Sequence, residues 1–172
     1  VTNQPNPTLT GAVAMLFAAT SVLAAPWAHA DNKRLNDGVV INVGTMQKQA
    51  GCDTDIRVNP KLRLAAEWHT RDVLHNRHLN GPIGSDGSTP QDRANAAGYR
   101  GRVGQTVAIN PALAINNMDV LRQWYYNPET KAIIEDCAFT EIGVWSENSL
   151  HRSVVVAVYG APEAAQWPQT EH

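Results

Sequence analysis

The segment SVVVAVY, Ser153 to Tyr159, is apolar on both faces of an extended chain. A strand that alternates apolar with polar residues has one wet face, but this one has none. Such a strand belongs in the middle of a sheet covered on both sides. Upstream, Glu141 to Trp145 alternates, with Ile142 and Val144 on one face, and reads as its neighbour. Gln105 to Asn110, QTVAIN, reads as a third strand.

The covering layers are helical. Leu35 to Ala50 places Val39, Val40, Val43 and Met46 at spacings close to i, i+3, i+4, i+7, and Gly51 is the stop. In the next helix Asn59 caps, Pro60 takes the first turn, and Leu62, Ala65, Ala66, His69 and Val73 share a face. A turn-rich loop, NGPIGSDGS at 80–88, precedes Thr89-Pro90-Gln91-Asp92, which has the form of a capping box. That short helix ends near Gly98, a residue suited to the left-handed conformation that closes a helix. Asn117 is the expected cap of a further helix with Met118, Leu121, Trp124 and Tyr125 as its buried stripe, broken at Pro128. Glu129 to Glu135 adds a last helical turn. Helices first and strands last predict an α+β domain layered helix, sheet, helix. Ala161 to His172 reads as a loose tail.

Charge divides the chain. All 14 Lys and Arg and all 16 Asp and Glu follow Ala30. The uncharged stretch contains GAVAMLFAATSVLAA, Gly11 to Ala25, and ends in Ala28-His29-Ala30 before Asp31. That is the pattern of a cleavable signal peptide over 1–30, with a run shorter than the roughly 20 residues of a membrane span. The n-region, Val1 to Thr10, has no Lys or Arg, which leaves the translation start open. No cysteine follows the apolar run closely, so neither a lipoprotein anchor nor any stable membrane anchor after cleavage is expected. The remaining stretch of about 140 residues suits one domain, placed over 31–160. A net charge of −2 argues against nucleic acid as a partner. Cys52 and Cys137, an even count in an oxidising compartment, predict one disulfide; two separate free thiols are the alternative.

Few residues invite chemistry. His75 and His78 can share a helix face at i and i+3, whereas His69 and His75, about 240° apart, cannot. No Cys or carboxylate completes a zinc set at the usual spacing, so a metal is not expected and these read as surface and loop histidines. His69, on the apolar stripe, reads as a hydrogen-bonded, half-buried histidine. No GxSxG elbow occurs, and Ser85, Ser88, Ser146 and Ser149 are assigned to turns. Gly84-Ser85-Asp86-Gly87 has amides able to cradle an anion, but a plain turn explains it as well. Trp124, Tyr125 and Tyr126 point about 100° apart along a helix, so at least one must reach the surface.

Taken in order, LRLAAEWHTRDV (62–73), GSDGSTPQDRANAAGYRG (84–101), GQTVAIN (104–110), LRQWYYNPETKAII (121–134), FTEIGVW (139–145) and VVVAVYG (154–160) resemble the CAP superfamily, the SCP domain of secreted proteins. The resemblance runs from about Val39 to Gly160 and is closest to short bacterial exported members. It implies a three-layer α-β-α sandwich and a cleft holding two His and two acidic residues, sometimes with a metal. At those positions this chain departs. Pro82 stands at the first His, with His78 available only through a loop shift. Gln105 stands at an acid and Thr130 at the second His. Glu141 and His69 persist in common family positions. An amide does not ionise and a hydroxyl is a poor metal ligand, so neither metal nor acid-base work is expected of this set.

The candidate cleft is therefore His69, His78, Asp86, Gln105, Trp124, Thr130 and Glu141, with no catalytic residue and no cofactor assigned. The leading reading is a non-catalytic secreted protein, extracellular or in the cell envelope, that binds an apolar small molecule or an envelope or host component. A hydrolase using His69 or His78 with a nearby Ser or Glu, and a structural envelope protein without ligand, are the alternatives.

Overall fold

The computed structural model describes residues 27–111 and 114–163. The expected signal peptide lies outside these residues except for 27–30, and the expected tail lies outside except for 161–163. The elements run α1 (Trp27–Gln49), β1 (Arg57–Val58), α2 (Pro60–His75), α3 (Pro90–Ala96), β2 (Gly101–Asn110), α4 (Asn117–Tyr125), α5 (Pro128–Ile134), β3 (Glu141–Ser149) and β4 (Arg152–Pro162). The sheet order is β1-β3-β4-β2, antiparallel except for a short parallel pairing of β1 with β3.

β4 is the central strand, as its doubly apolar sequence requires. Val154, Val156 and Val158 face Leu62, Ala65, Ala66 and Val73 of α2 and Ala94 of α3. Val155, Ala157 and Tyr159 face Val39, Val43 and Met46 of α1, Val120 and Trp124 of α4, and Ile134 of α5. The three expected layers follow from this one alternation.

Local signals place the helix ends. The Asn59 side chain accepts from Lys61 N with Pro60 in the first turn, and Thr89 and Asp92 close a reciprocal capping box. Gly51, at φ 93°, ends α1 in a Schellman turn: Gly51 N donates to Lys48 O and Cys52 N to Gln47 O. That turn delivers Cys52 to Cys137, to which it is disulfide-bonded.

Several expectations are corrected. α1 begins at Trp27, eight residues before Leu35, so the helix crosses the Ala30–Asp31 junction. β1 was not foreseen, because two exposed residues carry no periodicity. β2 starts at Gly101, since its first residues lie opposite the end of β4. β4 itself continues to Pro162, so Ala161 is strand and not tail. β3 continues to Ser149, which puts Ser146 and Ser149 in a strand and not in turns. The cap of α4 is Asn116, one residue earlier than Asn117, and its side chain accepts from Asp119 N. The buried stripe of α4 is Val120 and Trp124, with Leu121 partly buried; Met118 is 64% and Tyr125 47% exposed. The core meets α4 along one i, i+4 line, which is narrower than the apolar residues of the helix.

Candidate functional site

Of the residues that the resemblance singles out, Pro82 and Gln105 are held by hydrogen bonds that begin on α3, beside a loop tied back to α2. α2 carries His69 and Asp72 three residues apart. The loop that follows it folds back, and the Asp72 carboxylate accepts from Ser85 N at 2.7 Å, Ser85 Oγ at 2.6 Å and Asn76 Nδ2 at 2.7 Å. Burial opposes charge on Asp72, but these donors outweigh it and keep the carboxyl below its ordinary range. The buried His69 ring meets the same loop, with Nε2 2.9 Å from Gly81 O. The carbonyl can only accept, so Nε2 is the donor and Nδ1 carries no proton in the neutral ring.

Arg93 of α3 is the organising residue, and the sequence reading did not single it out. Its guanidinium is buried and donates through Nη2 to Pro82 O at 2.7 Å and Gln105 Oε1 at 3.0 Å. Through Nη1 it donates to Ser88 O and Ser88 Oγ. A signal was present: the capping box points Asp92 back at Thr89, which turns the next residue toward the sheet beside Ala94. Burial lowers the Arg93 pKa, and Asp86, Asp72 and Asp92 oppose that shift by their charge.

The expected site residues divide into separate groups. Gln105, opposite Val158 on β4, faces the α2–α3 layer with Arg93. Glu141 lies on that face also and accepts from Tyr99 OH at 2.9 Å. Burial first, and then the Glu141 carboxylate, keep this phenol protonated well above its ordinary range. Trp124 is fully buried in the α1–α4–α5 layer, and Thr130 Oγ1 donates to its carbonyl at 2.7 Å. The sheet thus stands between Gln105 and the Trp124–Thr130 pair. His78 is exposed in the turn after α2, as His75 is at the end of the helix. Asp86 lines a cleft of about 440 Å³ with Trp68, Asp72, Ser85, Ser88 and Arg93. Among the described residues no group of three or more His, Cys, Asp or Glu is placed to hold a metal ion. Pro82 offers only its carbonyl, already taken by Arg93, so the residues present do not fit a metal.

Two predictions arise here. Arg93 is a buried cation whose central hydrogen bond runs to a neutral amide, and the Gln105 Nε2 atom is itself buried without a partner. Gln105→Glu turns this bond into an ion pair and removes the unpartnered Nε2 donor, so it should stabilise the domain by about 1 kcal/mol. Arg93 depresses the new carboxyl, so the gain is present above the unfolded pKa and is lost as pH falls through the folded one. Urea midpoints of the two proteins at neutral and acidic pH measure it.

The second concerns His69. Burial, the largest influence, lowers its pKa; the Gly81 hydrogen bond opposes this and the Arg93 charge adds to it. The native state therefore prefers the neutral ring. This stability is complete above the unfolded value of about 6.5 and declines as pH falls through the lowered folded one. The urea midpoint should drop between about pH 7.5 and about pH 5, and His69→Gln, less stable overall, should lose that slope. Asp72, Asp86, Asp92 and Asp136 are all held below the ordinary aspartate range, so their contributions are lost only at lower pH.

No protein-family model matches the sequence, and no curated protein matches it significantly. Solved structures do match. An outer surface protein from Borrelia burgdorferi superposes with a TM-score of 0.68 at 16% identity, over 77% of this chain and 96% of the other. An extracellular protein containing an SCP domain from Bacillus anthracis gives 0.65 at 12% identity, over 79% of this chain and 43% of the other. A structure of NaASP2 with Zn2+ gives 0.53 at 7% identity, over 76% and 80%. At such identities the likeness is one of fold. The chain has the α+β fold of SCP-domain proteins, as its motifs led one to expect. None of the described helices is long and apolar enough to cross a membrane.

Proposed function

We propose that this chain is an exported, non-catalytic binding protein built on the SCP fold. The observation that carries the reading is the Arg93 hydrogen-bond set, which uses the Pro82 carbonyl and the Gln105 amide as structural acceptors. Residues at the positions where the family resemblance places a His and an acid are thereby committed to holding the loop on the sheet. Thr130 is committed in the same way to the Trp124 carbonyl. The hydrolase alternative has less support. A general base must reach its substrate, and the His69 ring is fully buried, with Nε2 on Gly81 O and its unprotonated Nδ1 closed off from solvent. His78 is exposed, with no serine or carboxylate bonded to it among the described residues. Export is supported by the uncharged leader and by the outer-surface and extracellular proteins that share the fold.

The test is thermal unfolding of the full exported domain with and without zinc chloride. Binding to the native state must raise Tm, so the expected result is an unchanged transition. A zinc-dependent rise that disappears in His69→Gln or His78→Ala would overturn the reading.

A further inference from the structure

The two edges of the sheet differ. One is β1, two residues long, and the other is β2, with ten. A long edge strand presents a row of unpaired N–H and C=O groups on which another copy of the chain can add a strand. β2 pairs with β4 from Gly101↔Pro162 to Asn110↔Ser153 without a bulge. In an unbroken antiparallel strand the peptide groups of alternate residues point away from the partner. Here the outward set is the odd-numbered residues, and at both ends of the strand glutamine side chains occupy it.

Gln91 of α3 donates through Nε2 to Gly101 O at 3.0 Å and accepts through Oε1 from Val103 N at 3.2 Å. A parallel strand with a residue opposite Arg102 would make the same two bonds. Gln123 of α4 donates through Nε2 to Ile109 O and accepts through Oε1 from Ile109 N, both at 3.1 Å. That is the paired exchange an antiparallel neighbour makes. A side-chain amide carries both a carbonyl and an NH2, so it can stand in for a peptide group. Gln91 is steadied by a further bond from Nε2 to Asn95 Oδ1 at 3.1 Å, one turn on along α3.

Between the two glutamines, Gln105 and Val107 present outward peptide groups with no hydrogen-bond partner among the described residues. Strands in folded domains usually run to at least about three residues. An incoming strand must therefore displace a glutamine before it gains a ladder of useful length. Apolar surface adjoins the same edge, since Tyr126, 76% exposed, shares a cleft with Ile109 and Gln123.

We infer that Gln91 and Gln123 guard the β2 edge against a second copy of this chain, and that their removal opens it to an antiparallel β2–β2 dimer. Such a contact is two-fold symmetric, with the same residues on both sides. The inference goes beyond the binding reading and holds whatever the domain binds.

The test is light scattering behind size-exclusion chromatography, on the full exported domain over a concentration series, beside the double variant Gln91→Met/Gln123→Met. Methionine keeps the length and helix propensity of glutamine but has no amide. The wild type should remain monomeric throughout. The double variant, folded by circular dichroism, should rise with concentration from the mass of one chain toward that of two, and each single variant should rise less. Hydrogen exchange locates the contact. The amides of Val103 and Ile109 should be protected in the wild type, quick in the monomeric variant, and protected again in its dimer together with Gln105 and Val107. A folded double variant that stays monomeric overturns the assignment, as does a wild type that already dimerises. Association that leaves 103–109 in fast exchange overturns it as well. If the double variant does not fold, Gln123→Met alone, at an exposed position, is read by the same criteria.

Discussion

Gly143→Ala is expected to abolish the cooperative unfolding transition. Gly143 sits in β3 opposite Val158, where α2 crosses the sheet. A Cβ built there would fall far inside van der Waals contact of Arg63 N and of the Leu62 carbonyl carbon. Both are backbone atoms of α2, so no rotamer change relieves the overlap. The helix would have to lift from the strand, and Leu62, Ala65 and Ala66 are fully buried in that contact. Overpacking a core by a methylene or two costs about 1–3 kcal/mol when side chains can yield. With backbone on both sides the cost should exceed about 4 kcal/mol, enough to unfold many domains of this size. Gly44→Ala is the control. There the new Cβ would meet only Ile56 Cγ2, at an ordinary 3.5 Å, and the gain in helix propensity makes a neutral or slightly stabilising result the expectation. Urea unfolding followed by circular dichroism distinguishes the two; a stable, cooperative Gly143→Ala protein would show that α2 does not lie this close to β3.

Removal of the Cys52–Cys137 bond has the next largest effect. The bond spans a sequence separation of 85 residues, for which the chain-entropy relation gives a loss of about 4.5 kcal/mol. The double substitution Cys52→Ala/Cys137→Ala should lower stability by up to that amount and lower the urea midpoint accordingly. The loss should be concentrated where the bond acts. It joins the end of α1 to the segment between α5 and β3, close to Gln47, whose side chain donates to Phe139 O at 2.9 Å. Hydrogen exchange should therefore quicken first at the C-terminal turn of α1 and around 135–140. Uniform loosening, or a change well under 1 kcal/mol, would mean that packing alone holds this junction.

Much of this was legible in one dimension because its causes are local. The Asn59 cap, the Thr89–Asp92 box and the Gly51 stop each involve atoms within a few residues. The central strand was legible because an apolar run with no wet face has few other places to go. The α4 stripe was read less well. Met118 and Tyr125 offer more apolar surface than Val120 by size, and the position of the neighbouring layer leaves them outside.

The site behaved differently. Residue types alone led to the expectation that Pro82, Gln105 and Thr130 do no metal or acid-base work of the kind the resemblance implies for their positions. What became of the polar set needed the tertiary structure. Arg93 lies 12 residues from Gln105 in sequence and meets it only because α3 packs on β2. That Arg71 takes both Glu67 and Glu147 while Arg63 stacks on Trp145 is likewise invisible in a list of charges, because pairing depends on which carboxylates lie within reach. Sequence by itself determined the layers, the caps at Asn59 and Thr89, the Gly51 stop and the two cysteines available for pairing, since these follow from side-chain chemistry and short-range backbone geometry. Tertiary structure alone decided that Arg93 is a buried structural cation and Arg63 an exposed one, since burial and partner distance are set by which distant segments the fold brings into contact.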